Sequence, residues 1–218
     1  MIQEHPSMDT FISRLSIVTA VLFHPLLLPI YCTLLTLFGN TPYSRMPHPV
    51  NVNILTSMGL YACANPLIII GLFLVAGKVS DLQMPTRRER ILPLFLSAIA
   101  ISLSLLFLGP VNTPRPLIGM LAGESVILFA AALCSLFWKI SLHTAGAGAL
   151  LAFVSVTGMA YQQDFAPLAA VAFIVAFITA WTRLYQKAHT PRQLIAGYAL
   201  GITVMTILLN FFMLRPVF

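Results

Sequence analysis

Read along the chain, apolar residues come in long unbroken runs, and polar residues collect in the short gaps between them. Seven runs stand out, at roughly 15–38, 53–77, 91–109, 118–138, 144–161, 166–182 and 193–214. Most approach the ~20 residues a helix needs to cross the hydrocarbon of a bilayer. Continuous runs without period-two alternation predict helices, which satisfy their own backbone polar groups in lipid. The expected fold is an all-α integral membrane protein, a polytopic bundle of about seven transmembrane helices. Six is the alternative count, because the runs between 144 and 182 are short enough to be divided differently. The gaps leave no room for a separate soluble domain, so residues 1–218 read as one transmembrane helical domain.

Composition strengthens this picture. The 218 residues are 59% hydrophobic and 8% charged, with a mean hydropathy of +0.92, which excludes an ordinary soluble domain. A formal net charge of +6 would point to nucleic acid in a soluble protein. Here the basic residues are few and confined to turns, so orientation in the membrane and anionic lipid explain them, and no nucleic-acid partner is expected. The first run is too long for a signal-peptide core, follows Glu4 and Asp9, and lacks a small-residue cleavage site, so it is expected to be retained. Cys32, Cys63 and Cys134 all fall inside runs, at spacings that suit neither zinc nor a disulfide framework.

The charges divide unevenly between the two ends of a seven-helix bundle. One end receives the N-terminus and the gaps at 78–90, 139–143 and 183–192, with Arg14, Lys78, Arg87, Arg88, Arg90, Lys139, Arg183, Lys187 and Arg192. The other receives Arg45, Arg115 and Arg215. The positive-inside rule puts the crowded end in the cytoplasm of a multi-pass plasma (inner) membrane protein. Cations kept for phosphate would bias that count whichever way the chain is inserted.

Two stretches at the crowded end carry groups suited to phosphate. A phosphate ester needs cations for its oxygens, donors at helix N-termini, and a nucleophile or base near phosphorus. One histidine can attack phosphorus while a second protonates the departing oxygen. In FWKISLHTAGAGAL, Lys139 and His143 are four apart, which one helical turn would bring to the same side, with Ser141 between them. A helix is expected to open just after His143, and its small residues allow neighbouring backbones close approach. In TRLYQKAHTPRQ, at 182–193, Arg183 ends one span and His189 precedes the next. Thr190-Pro191 reads as a helix cap followed by proline at the first helical position.

At these residues the chain resembles the type 2 phosphatidic acid phosphatase superfamily, which includes the vanadium haloperoxidases. The family's second motif reads Pro-Ser-Gly-His, and Ile140-Ser141-Leu142-His143 keeps the serine and the histidine. Its third motif is Ser-Arg, five residues, His, three residues, Asp; Thr182-Arg183, His189 and Gln193 keep that spacing. Both motifs fall within about 139–201. The resemblance implies that His189 is the nucleophile and His143 the acid for the leaving group, with Arg183 and Ser141 binding phosphate oxygens. The partner it implies is a phosphorylated lipid of the surrounding bilayer. No metal or other cofactor is called for, because the cations do the neutralising.

Three departures qualify the likeness. The first motif, Lys, six residues, Arg-Pro, is missing in that form: Arg115-Pro116 has no lysine at the required distance and belongs to the other end. Lys139 and the run TRRER stand in as candidates, with Arg87, Arg88 or Arg90 folding over the site. Ile140 and Leu142 replace the proline and glycine of the second motif. Gln193 replaces an aspartate that would hold and polarise the nucleophilic histidine. In a serine protease the comparable Asp-to-Asn change lowers turnover ~10⁴-fold. Of the chain's six carboxylates, Asp81 and Glu89 sit beside the proposed site, and Glu89, flanked by arginines, is the better surrogate.

Plainer readings exist for each residue. Gln193 completes a capping box with Thr190. The interfacial cations anchor helix ends in headgroups, and His24, next to Pro25, engages a backbone carbonyl that the proline frees. Glu124, inside a span, needs a partner or a water-filled cavity, and Gly197 with Gly201 form a packing face. Taken jointly, the pattern favours a membrane phosphatase-like protein acting on a lipid phosphate or diphosphate through a phosphohistidine. A relative that binds or moves such a lipid without cleaving it is the first alternative, and an assembly protein whose charges serve only topology is the second.

Overall fold

The computed structural model describes residues 6–108 and 113–213, with side chains from residue 12. Glu4 and Arg215 lie outside the described residues, as does the side chain of Asp9. The regular elements among the described residues are helices: α1 (Pro6–Leu22), α2 (Leu28–Phe38), α3 (His48–Met58), α4 (Asn65–Val75), α5 (Arg87–Leu108), α6 (Arg115–Cys134), α7 (Leu142–Ala160), α8 (Ala166–Tyr185) and α9 (Pro191–Met213). Among the described residues, six continuous helical stretches are long and apolar enough to cross a membrane, or seven if one bent pair counts as a single span. The polytopic all-α bundle expected from the apolar runs is therefore what the chain forms.

Two spans are not regular α-helix, and proline explains both. The first bends by 41° between α1 and α2, through a 3₁₀ turn at Pro25–Leu27. Pro25 has no N–H to continue the ladder, and the His24 N–H turns to Val21 O at 3.2 Å instead of Ala20 O. The carbonyls of Ala20 and Leu22 are thereby released, and the Leu22 oxygen accepts the Tyr31 hydroxyl at 2.9 Å. The second span, His48–Val75, contains a π-helical stretch at Gly59–Ala64. It runs straight into Asn65-Pro66, where the Asn65 N–H reaches back five residues to Leu60 O.

Contacts at the two ends fix the direction of the bent span. Near its start, Ser16 accepts hydrogen bonds from Gln186, at the end of α8. Just past its end, the Asn40 amide donates to Gln163 at 2.5 Å, and the Tyr43 and Tyr161 rings meet edge-to-face at 6.1 Å. Gln186 and Gln163 lie at opposite ends of the bundle, so the bent pair crosses it.

The core is built on α6, α7 and α9, with Leu121, Phe153 and Leu209 almost fully buried. Helices α7 and α9 approach so closely that a Cβ on Gly201 would overlap the Ala145 carbonyl, and one on Gly197 would overlap Ser141 O and Thr144 Oγ1. Helices α5 and α6 are bonded through Ser102, Ser125 and the Ala98 carbonyl. A smaller cluster including Ile70, Met84, Leu94 and Ile140 packs the cation-rich end. Outward-facing Phe107, Phe173 and Phe177 are more than half exposed, as a lipid-facing surface requires. Trp181 stacks on Tyr185 at 5.8 Å near the cation-rich end, where an interfacial aromatic belt belongs.

Candidate active site

The helix of the second-motif stretch opens two residues earlier than the sequence implied. Helix α7 begins at Leu142, and Ser141 is its cap, with Oγ accepting the Thr144 N–H at 3.4 Å. Residues 138–141 are irregular, so Lys139 and His143 do not share a helical turn. Lys139 reaches the same region by another route, its Nζ donating to Ala188 O at 3.3 Å.

The third-motif stretch is shaped by the end of α8. Lys187 adopts a left-handed conformation, φ 51°. Its N–H donates to Leu184 O at 2.9 Å, and the Ala188 N–H to Arg183 O at 3.1 Å. This pair of bonds closes the helix and reverses the chain. The reversal delivers His189 to the mouth of α9, where Pro191 takes the first helical position as expected.

Gln193 holds His189 and caps α9 with one atom. Its Oε1 accepts the Thr190 backbone N–H at 3.1 Å and meets His189 Nδ1 at 3.1 Å. A backbone N–H only donates, so the amide oxygen must face both groups. His189 therefore carries its proton on Nδ1 and leaves Nε2 as the bare nitrogen. The Ser141 N–H donates to the Gln193 backbone carbonyl at 3.4 Å, joining the two histidine stretches.

Arg183 is 3% exposed. Its Nη1 donates to Gln186 at 2.8 Å and its Nη2 to Gln83 at 3.4 Å, while Nε is buried without a protein partner. His143 lies at the N-terminus of α7 with Nε2 3.4 Å from Ala20 O, a carbonyl freed by the first-span break. The liberated carbonyl thus serves His143. His24 instead caps the 3₁₀ turn, Nδ1 accepting the Leu26 N–H at 3.3 Å.

His143, Arg183 and His189, distant in sequence, line one cavity, together with His24, Gln83 and Arg90. Measured out to its open mouth it holds about 1030 Å³. Below the polar groups its walls are apolar, with Leu94, Ile127 and Leu150, and it reaches Glu124, one of whose carboxyl oxygens is buried without a protein partner.

Several anticipated residues take other places. Arg87 gives Nη1 to the Leu136 and Phe137 carbonyls at 2.9 and 2.8 Å, tying α5 to the end of α6. Arg88 is exposed and does not line the cavity. Arg90 is the arginine of that run that does, but its Nε, Nη1 and Nη2 donate to the carbonyls of Met84, Ile140 and Gln83. Glu89 accepts from Ser80 and Thr86 at the start of α5, so the surrogate carboxylate is not at His189. Ser141 is fully buried in its capping role. Gln83 and Gln186, which orient Arg183, were missed by sequence reasoning. Gln186 was detectable, three residues after Arg183 and hence on the same helical face.

Burial, with Arg90 and Lys139 nearby, holds the His189 imidazole down at about 3, far below an ordinary histidine. Burial also lowers Lys139, reinforced by Arg90 and Arg183. A neutral imidazole with Nε2 free is the form of histidine able to act as a nucleophile.

A family model describing the PAP2 superfamily matches residues 91–216, which include both histidine stretches. No match was found among curated proteins or solved structures.

Proposed function

The chain belongs to the PAP2 superfamily, the type 2 phosphatidic acid phosphatases, and from that premise we propose that it hydrolyses a lipid phosphate or diphosphate through a phosphohistidine on His189. Membership supports a phosphatase-type activity on phosphorylated substrates. The observation that carries the finer reading is that Arg183, whose Nε is a buried donor without a protein partner, lines one cavity with His143 and His189. Buried donors are nearly always paired, and a phosphoryl oxygen is the acceptor this one fits. The apolar walls below suit a hydrocarbon tail.

His189 Nε2 attacks phosphorus as the bond to the leaving oxygen breaks, and that oxygen takes a proton from His143. Water then attacks the phosphohistidine and gives its proton to His143; the P–N bond breaks, phosphate leaves and His189 is again neutral. Arg183 bears the charge on the equatorial oxygens. Gln193 keeps Nδ1 protonated throughout, while contributing less to the N-phosphoimidazolium than a carboxylate would.

The test is phosphate release from phosphatidate and from a polyprenyl diphosphate by purified protein in detergent, with chelator present. His189→Ala should lower turnover by ~10³-fold or more, and acid-quenched wild type should carry labelled phosphate on His189. Turnover unchanged in that variant rules the mechanism out. The amide at Gln193 favours a second reading, a protein that binds the lipid phosphate without cleaving it. That reading expects saturable binding, weakened by Arg183→Ala, with no covalent intermediate.

A further inference from the structure

The first span lies outside the family match, which begins at residue 91, yet it forms a wall of the cavity. Ser16 holds Gln186, which in turn holds Arg183. The Ala20 carbonyl meets His143, and His24 stands at the break between α1 and α2. The His24 ring meets the His143 ring edge-on, centroids 5.1 Å apart and planes at 83°. His24 is half-buried and lines the same cavity as His143, Arg183 and His189.

The backbone sets its tautomer. Nδ1 accepts the Leu26 N–H, so the neutral ring carries its proton on Nε2 and is a donor there. Among the described residues, the cations that line the cavity are Arg90 and Arg183. Arg90 commits three of its five N–H groups to backbone carbonyls, and Arg183 commits two to glutamine side chains with its Nε–H unpartnered. A tetrahedral phosphoryl group presents oxygens in several directions, and a planar guanidinium meets about two of them at most. The lysine and arginine of the family's first motif have no counterpart here in that form.

We propose that His24 is a third imidazole of the phosphate site, donating its Nε2–H to a phosphoryl oxygen beside His143, in place of the cations of the absent motif. A neutral donor also avoids placing a further cation against Arg183 and Arg90. The proposal rests on the phosphate-site reading above and extends the site to a helix that the family match leaves out.

The competing role is purely structural, a cap for the 3₁₀ turn, and two substitutions separate them. His24→Asn keeps an acceptor where Nδ1 stands and removes the Nε2 donor; His24→Gln keeps an N–H near the Nε2 position and loses the cap. Inhibition of phosphate release by inorganic orthophosphate is measured on each purified protein, with the thermal midpoint as a check on folding. The proposal expects His24→Asn to melt as wild type with an inhibition constant raised about tenfold. His24→Gln should melt lower while holding its inhibition constant to within about threefold. Wild-type inhibition of His24→Asn overturns the proposal and leaves the capping role. If His24→Asn does not fold, the Gln variant decides alone: inhibition kept supports the donor, and a tenfold loss overturns it. Should wild-type protein neither release phosphate from lipid phosphates nor bind orthophosphate, the phosphate-site reading itself fails, a result distinct from the failure of His24.

Discussion

Gln193 offers one oxygen to two donors, and that geometry decides what a substitution there would do. A carboxylate of the same reach accepts both N–H groups and, under the proposed mechanism, adds negative charge beside the N-phosphoimidazolium. Gln193→Glu should therefore raise kcat by about 10- to 100-fold with little change in KM, read from lipid-phosphate hydrolysis. Gln193→Leu removes both acceptances: it should cost about 1 kcal/mol of stability through the lost cap and reduce turnover to background. The His189 imidazole, held near 3, stays neutral through the physiological range. The profile of kcat/KM should consequently lack an acid limb near 6.5 arising from the nucleophile, and a limb there that vanishes in His189→Gln would contradict this. The sign for stability follows. Between about 6.5 and about 3 the unfolded chain holds the proton and the native protein does not, so this histidine lowers stability as pH falls through that window. The thermal midpoint of His189→Gln should drop less steeply on acidification than that of wild type.

Elements carry the site by how they end and how closely they pack. Lys187 occupies a left-handed position that glycine usually fills, so Lys187→Gly should raise stability by about 1 kcal/mol and keep activity, whereas Lys187→Val should lower both. The α7–α9 contact is less forgiving. Gly201→Leu would push α9 from the Ala145 carbonyl and shift Gln193 relative to Ser141, costing about 1–3 kcal/mol. Gly71→Leu, at a position with open space around it, should be tolerated, and a thermal melt of the pair separates the two. These details bear on how far the chain could be read. Thr190-Pro191 announced the start of α9 because capping and proline act over a few residues. The close of α8 was hidden because no glycine marks it. The break at His24-Pro25 was half legible: proline signalled a freed carbonyl, but only packing against α7 directs that carbonyl to His143. Arg87 and Glu89 were misplaced for the same reason, since their partners, the end of α6 and the 80–86 loop, are set by tertiary structure.

At the scale of the molecule, the parity of crossings brings the gaps at 78–90, 139–143 and 183–192 to one end, and their contacts join them there. If the bent first span crosses the bilayer, Asn40→Cys and Lys187→Cys should react with a membrane-impermeant maleimide from opposite sides of sealed vesicles. Labelling of both from one side would make the first span re-entrant. The fold was legible because burial in lipid writes itself as uninterrupted apolar runs. Convergence of the three motif residues was legible as spacing, but their supports, from Ser16 to Gln83, come from segments with no motif at all. The pairing of cations at this end has one more consequence. Arg90 and Arg183, which line the cavity, donate to backbone or amide oxygens, none of which carries a charge. Whatever anion enters would be the counter-ion for these residues, and under the proposed hydrolysis inorganic phosphate fits that role as well as its ester. Departure of the product, slowed by this attraction and hastened by added salt, would then govern the cycle more than the breaking of the ester.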